Sequence, residues 1–278
     1  MFKDLLVPVV LGEVSPEAFE LACGMAAAEG GHVTGLVSIS VVTPMVEAMN
    51  YFPEAVYESL AAAAREASQR LRAQVDACLA RYEASSESRV SDSIWLTAPE
   101  VATLHAHYAD LVVYGRTANA AAEAERSVFS SLLLASGRPV MVVPRKARWV
   151  APPEKVVVAW RPSPEASRAL HDALPLLRRA RSVDVVVVDP KVGETAHGEL
   201  PGVDIAQHLS RHGLDVNVVS LPREGASTAT AILRHATQVD AHLIVAGGYG
   251  HSRIRQQVFG GVTRGLFEQA TVPVLFSH

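Results

Sequence analysis

An internal repeat that runs through the 278 residues constrains the fold more than any other feature of the sequence. The segment ADLVVYG at 109–115 matches AHLIVAG at 241–247, and VFSS at 128–131 matches VFGG at 258–261. The separations are 241 − 109 = 132 and 258 − 128 = 130 residues, so they are nearly constant. Such a period indicates a duplicated domain, and half of this chain, about 140 residues, is an ordinary domain size.

Each half opens with an apolar strand followed by the same helix start. Ser15-Pro16-Glu17 in the first half corresponds to Ser163-Pro164-Glu165 in the second. Each triplet supplies a serine N-cap, a proline in the first turn and an acidic residue near the helix N-terminus. Apolar strands then alternate with helices, which predicts parallel pairing with both faces of the sheet covered. The sequence therefore predicts an α/β protein of two tandem, doubly wound domains with five parallel strands each.

The domain boundaries follow from a change of composition near the middle of the chain. The segment RKARWVAPP, at 145–153, is basic and ends in two prolines, which is typical of a linker. We therefore expect an N-terminal domain at 1–144 and a C-terminal domain at 154–278.

Composition excludes several classes of partner. Hydrophobic residues make up 49% of the chain and charged residues 19%, which is typical of a globular protein with a substantial core. The net charge of −4 predicts no general attraction to nucleic acid or to an anionic membrane. No secretory leader or membrane-length apolar run is evident, so we expect a cytoplasmic protein. Cys23 and Cys78 fall in helical segments and are expected to be buried thiols.

A glycine-rich loop near the C-terminus is the main candidate for a binding site. Gly247, Gly250 and Gly260 have the spacing G-x2-G-x9-G, after an apolar strand and before a helix. Glycines in this position let backbone N–H groups approach an anion, and the helix N-terminus adds partial positive charge. The pattern predicts a phosphate-binding loop. The alternative is a tight strand-to-helix connection that binds nothing.

This loop, together with the closing strand that contains PVL, resembles the C-terminal signature of the universal stress protein family. The resemblance implies an adenine nucleotide α-hydrolase-like sheet with strand order 3-2-1-4-5 in each domain. It also implies that the two domains pack about a pseudo-two-fold axis and that ATP, with Mg²⁺, is the ligand. Because edge strands need covering, we expect the terminal strands, Val140–Val143 and Val272–Phe276, to meet at the contact between the domains.

The resemblance is incomplete at two places in the C-terminal half. Nucleotide-binding members of the family have Ser or Thr after the third glycine, whereas this chain has Gly261, with Thr263 two positions further on. They also have an aspartate after the first strand, where this chain has Arg161. The predicted nucleotide site consists of Gly247, Gly250, Gly260, Gly261 and Thr263, with Arg161, His251 and Arg253 as charge partners.

The corresponding loop of the first half has lost most of its glycines. Gly115 remains, but the positions that match the other glycines carry Ala or Ser. Val10 stands where the family has its aspartate. Since side chains occupy places where backbone must approach phosphate, we expect the N-terminal domain not to bind nucleotide in the manner of the family.

No catalytic or metal-binding set is evident in the sequence. His208 and His212 are spaced to share a helical face, but no acid completes a zinc motif. We expect a stress-response protein with a regulatory nucleotide rather than an enzyme. A ligand-free interaction or scaffold protein is the alternative, and a slow ATP hydrolase ranks behind both. The sequence leaves the protein partner and assembly into a homodimer open.

Overall fold

A computed structural model describes residues 1–39, 54–91, 96–190, 202–249 and 260–278, with the side chains of 54–57 excepted. Ten strands and eight helices lie within these residues, and the predicted α/β class is confirmed. The chain divides into two compact units, Met1–Arg138 and Pro139–His278.

The first unit has four parallel strands in the order β3-β2-β1-β4. Its elements are β1 (Asp4–Val9), α1 (Pro16–Glu29), β2 (His32–Ser38), α2 (Glu54–Leu79), β3 (Ser85–Ser91), α3 (Ala98–Ala106), β4 (Leu111–Gly115) and α4 (Ala122–Ala135).

The second unit has six strands in the order β5-β10-β9-β6-β7-β8. Its elements are β5 (Val140–Val143), β6 (Lys155–Ala159), α5 (Pro164–Leu177), β7 (Ser182–Val188), α6 (Val203–Arg211), β8 (Val216–Leu221), α7 (Thr228–Gln238), β9 (Leu243–Gly247), α8 (Gly261–Gln269) and β10 (Val274–Ser277). Strands β6 to β10 are parallel and have the predicted order 3-2-1-4-5.

Strand β5 is antiparallel to β10, with Val142 opposite Val274 and Val140 opposite Phe276. The two terminal strands therefore pair with each other within the second unit, and their predicted place at a contact between the domains stays a prediction. Residues 144–154, which include the predicted linker, contain no helix or strand.

The repeated helix starts form as the sequence predicts. Ser15 Oγ accepts the N–H of Ala18 at 3.4 Å at the start of α1, and Ser163 Oγ accepts the N–H of Ala166 at 3.3 Å at the start of α5. Each helix has a proline in its first turn. The same local signal thus begins the first helix after the first strand of both repeats.

The cores lie on both faces of the central strands. All residues of β4 are buried, as are the first four residues of β9. Consecutive burial along a strand requires cover on both faces, as in parallel sheets generally. Cys23 and Cys78 are free and buried, as predicted, and burial raises the pKa of the Cys23 thiol to about 11. Across the described helices, none is both long and apolar enough to cross a membrane.

Candidate functional site

The candidate site lies at the carboxyl ends of β6 and β9 in the second unit. These two strands are neighbours, with Ala159 opposite Ala246, and the strand order reverses between them. Ligands of open parallel sheets bind at such a reversal, because the loops leave in opposite directions and open a crevice. Helix α5 follows β6, and α8 follows the glycine-rich loop after β9.

Gly247 ends β9 and packs tightly against the start of α5. A Cβ atom at this position would lie 2.6 Å from the amide nitrogen of Ala166 and 2.7 Å from the carbonyl carbon of Glu165. Gly115 ends β4 in the first unit, where a Cβ atom would lie 2.9 Å from Ala18 Cβ and nearer still to Ser15. Helix packing alone therefore requires glycine at this point of both repeats, whatever the loop binds.

The loop after β9 is tied to its surroundings by backbone and hydroxyl groups. The N–H of Gly248 donates to the carbonyl oxygen of Ser277 at 2.9 Å. Tyr249 has a φ of 61°, and its N–H donates to Thr263 Oγ1 at 3.2 Å. Thr263 is only 3% exposed. The hydroxyl that was predicted to meet a ligand thus holds the loop against α8. A direct contact between this hydroxyl and a ligand stays a prediction.

The start of α8 is open. Gly260 is the N-cap and provides no side-chain hydrogen bond, and both Gly260 and Gly261 are exposed. A Cβ atom at Gly261 would meet nothing within 4 Å. The first N–H groups of a helix have no partner inside the helix, and they carry its partial positive charge. This helix end therefore suits an anion better than a cation or an apolar group.

The other predicted site residues differ in how far the structure describes them. Arg161 is exposed and follows β6 at the same edge of the sheet. Gly250, His251 and Arg253 lie outside the described residues. The structure thus joins the loop to α8 through Tyr249 and Thr263, it places Gly247 against α5, and the roles of the remaining residues stay predictions.

The equivalent loop of the first unit is filled by carboxylates of the same chain. Glu125 is 2% exposed and accepts the N–H of Thr117 at 2.6 Å and the Thr117 hydroxyl at 3.1 Å. It also accepts a hydrogen bond from Arg116 Nη2 at 3.0 Å. Glu13 accepts the N–H groups of Ala118 and Asn119 at 2.9 and 3.0 Å. Three successive backbone amides thus donate to carboxylates, which adds a physical reason to expect no nucleotide there.

Sequence reasoning missed both of these glutamates. Glu13 follows Gly12, whose φ of 74° redirects the chain after β1. Glu125 lies in the first turn of α4. The available signal was Glu13, an acid a few residues beyond the usual position of the aspartate after the first strand. Only the structure shows which amides it meets.

A histidine cluster joins α5 and α6 in the second unit. The ring centroids of His171 and His208 are 5.5 Å apart, and those of His208 and His212 are 4.8 Å apart. Burial lowers the pKa of His208, and His212, His171 and Arg211 lower it further. Within the described parts of the chain, no group of three or more His, Cys, Asp or Glu is arranged to hold a metal ion.

We predict that replacing His208 by glutamine makes stability less sensitive to acid. The pKa of His208 is lower in the folded protein than its usual 6.5, so the unfolded chain binds its proton more readily. The contribution of neutral His208 to the free energy of unfolding is therefore complete above about pH 6.5. It is lost as the pH falls through the pKa of His208 in the folded protein. Urea unfolding at about pH 7.5 and about pH 5.5 measures this, with His107→Gln as a control outside the cluster. Equal pH dependence of His208→Gln and wild type would contradict the prediction.

The fold and the site together define a class of protein: a tandem, doubly wound α/β protein with a glycine loop at the strand reversal of its second half. The model of the universal stress protein family matches residues 153–278. A universal stress protein from Archaeoglobus fulgidus has a similar structure, with a TM-score of 0.69 and 16% identity, over 99% of this chain and 95% of that one. A protein from Pseudomonas aeruginosa described as a putative universal stress protein is also similar, with a TM-score of 0.55 and 15% identity. The similarity covers 99% of this chain and 93% of that one.

A comparison with curated protein sequences gave no match. The model of the universal stress protein family thus covers the second half of the chain, and the chain as a whole has the same fold as these two solved structures.

Proposed function

We propose that this chain is a stress-response protein that acts in the cytoplasm and binds ATP in its C-terminal unit as a regulatory ligand. The observation that carries the proposal is the start of α8 near the strand reversal, where Gly260 and Gly261 are exposed and no side chain caps the helix. A nucleotide phosphate matches this end of a helix in charge and in hydrogen-bonding capacity.

We assign a different role in ligand binding to each residue around this point. Gly260 and Gly261 provide the backbone surface for the phosphates. Thr263 positions the loop by accepting the N–H of Tyr249. We assign to Gly250 a further backbone contact with the phosphates, and to His251 and Arg253 the role of charge partners. Mg²⁺ is expected to bind mainly through phosphate oxygens and water, as is usual at nucleotide sites.

Arg161 distinguishes this site from the usual pattern of the family. It follows β6 where nucleotide-binding members have an aspartate, and it is exposed. An arginine at this edge of the sheet favours an anionic part of the ligand through charge-assisted hydrogen bonds. We therefore assign Arg161 to a phosphate rather than to the adenosine.

The alternative is a scaffold that binds protein partners without nucleotide. It is favoured by the carboxylates that fill the equivalent loop of the first unit. A slow ATP hydrolase would require a group that positions the attacking water, and we assign no residue to that role.

The decisive variant is Gly260→Asp. Aspartate is a preferred N-cap residue, and the backbone of Gly260, with φ of −57° and ψ of 139°, accommodates it. Its carboxylate would nevertheless lie where the phosphates bind. We expect calorimetric titration with ATP and Mg²⁺ to give at least about 100-fold weaker binding than wild type, which is about 2.7 kcal/mol, while the thermal unfolding midpoint stays equal or rises.

Two further variants complete this test, a matched control and a variant expected to bind ATP more tightly. Ser130 stands in the first repeat where Gly260 stands in the second, so Ser130→Asp introduces the same charge and is expected to leave ATP binding unchanged. Gly261→Ser restores the hydroxyl of the family pattern and is expected to tighten binding by roughly tenfold or less, the effect of one hydrogen bond. Undiminished binding by Gly260→Asp would refute this site. Absence of heat and of thermal stabilisation with wild type at millimolar ATP would favour the scaffold.

A further inference from the structure

The loop after β4 in the first unit has the arrangement of an anion site whose anion is part of the protein. The N–H groups of Thr117, Ala118 and Asn119 are consecutive, and all three donate to carboxylate oxygens at 2.6 to 3.0 Å. The side-chain amide of Asn119 adds a further bond to Glu13 at 3.0 Å. Successive backbone N–H groups that converge on oxygen atoms are the usual binding mode for phosphate and other oxyanions.

The two carboxylates come from different parts of the first repeat. Glu13 lies in the turn between β1 and α1, and Glu125 lies in the first turn of α4. Both therefore reach the loop at the carboxyl ends of β1 and β4, which pair with each other. This is the position in the first unit that corresponds to the candidate nucleotide site of the second.

The second unit satisfies its equivalent amide differently, as far as the structure describes that loop. Tyr249, which corresponds to Thr117, donates its N–H to a neutral oxygen, the hydroxyl of Thr263. A neutral acceptor leaves the positive potential of the loop and of the following helix available to an added anion. A carboxylate cancels that potential and repels a second anion. Because the carboxylate is part of the chain, it is always held close to the amides.

We propose that Glu13 and Glu125 are the built-in anionic ligand of the first unit, and that their carboxylates close an oxyanion site that is otherwise competent to bind phosphate. Glu125 is the buried half of this ligand. Arg116, whose side chain is 21% exposed, forms an ion pair with Glu125 at 3.0 Å and partly balances its charge. Glu13 is the accessible half, because its three bonds lie at the exposed side of the loop. The inference concerns the first unit and is independent of ATP binding by the second.

The test is to remove the accessible carboxylate and to offer inorganic phosphate in its place. In Glu13→Ala, we expect the amides of Ala118 and Asn119 to exchange with solvent at least about tenfold faster than in wild type, because their acceptors are gone. Adding phosphate to the variant, against chloride at the same ionic strength, should shift the NMR resonances of these two amides saturably and slow their exchange again. Wild type should show neither effect.

Two more variants keep the result interpretable. Glu123→Ala removes an exposed acid of the same helix turn as Glu125 and should behave as wild type. Glu125→Gln keeps the shape of the buried side chain but removes its charge, so it should give a weaker phosphate response at the amide of Thr117, even if Glu13→Ala does not fold. The proposal is wrong if phosphate leaves the exposed amides of the folded variants unshifted, or if it shifts them equally in wild type.

Discussion

Replacing Gly247 by alanine is expected to lower the free energy of unfolding by about 3 kcal/mol, near the upper end of the usual range for overpacking a well-filled site. The added Cβ would lie 2.6 Å from the amide nitrogen of Ala166 and 2.7 Å from the carbonyl carbon of Glu165. Both atoms belong to the backbone of the first turn of α5, so no side-chain rotation relieves the overlap. Either β9 or α5 must move, and both are parts of the core.

Chemical denaturation measures this effect, and Gly261→Ala is its control. The two substitutions add the same methyl group to glycines of the same predicted loop, but the Cβ at position 261 meets nothing within 4 Å. We expect the control to change stability by no more than about 0.5 kcal/mol, as is usual for exposed positions. Equal losses for both variants would show that contact with α5 is not the reason for glycine at 247.

Replacing Asp184 by leucine is expected to cost about 3 kcal/mol, because it leaves two partners without their acceptor. Asp184 Oδ2 lies 2.8 Å from His235 Nε2, and Asp184 Oδ1 accepts a hydrogen bond from Asn217 Nδ2 at 3.2 Å. The side chains of His235 and Asp184 are 10% and 14% exposed, so water only partly replaces the lost contact. These bonds connect β7, β8 and α7 of the second unit.

A double-mutant cycle separates the pair from the packing around it. We expect Asp184→Leu with His235→Leu to cost clearly less than the sum of the single changes, since the pair of polar groups is removed together. The ion pair between Glu66 and Arg70 is the control, because both side chains are more than half exposed. Glu66→Ala should cost no more than about 0.5 kcal/mol. Additive losses at Asp184 and His235 would contradict the coupling.

The elements of the fold were predictable because they depend on local sequence. A serine followed by proline and glutamate defines a helix start within three residues, and both examples form as expected. Consecutive apolar residues in 111–114 and 243–246 predict strands buried on both faces, and these residues are buried. The strand order came from the resemblance to a family, since parallel pairing joins segments that are distant in the chain.

The candidate site was only partly predictable, because a glycine has more than one physical use. The sequence singled out Gly247, Gly260 and Gly261 as one phosphate-binding group. The structure separates them, because Gly247 is required for packing on α5, whereas Gly260 and Gly261 face open space. Thr263 is likewise buried and accepts a backbone amide. A spacing pattern cannot distinguish these environments.

The sequence by itself determined the duplication, the α/β class and the position of the glycine loop, because repeats, periodicity and helix caps are properties of neighbouring residues. Only the tertiary structure decided that carboxylates occupy the loop of the first half. Glu13 and Ala118 are 105 residues apart in the chain but 2.9 Å apart at their hydrogen bond. Such a contact arises because parallel pairing of β1 with β4 brings the carboxyl ends of distant strands together, and no local pattern records which side chain then meets which amide.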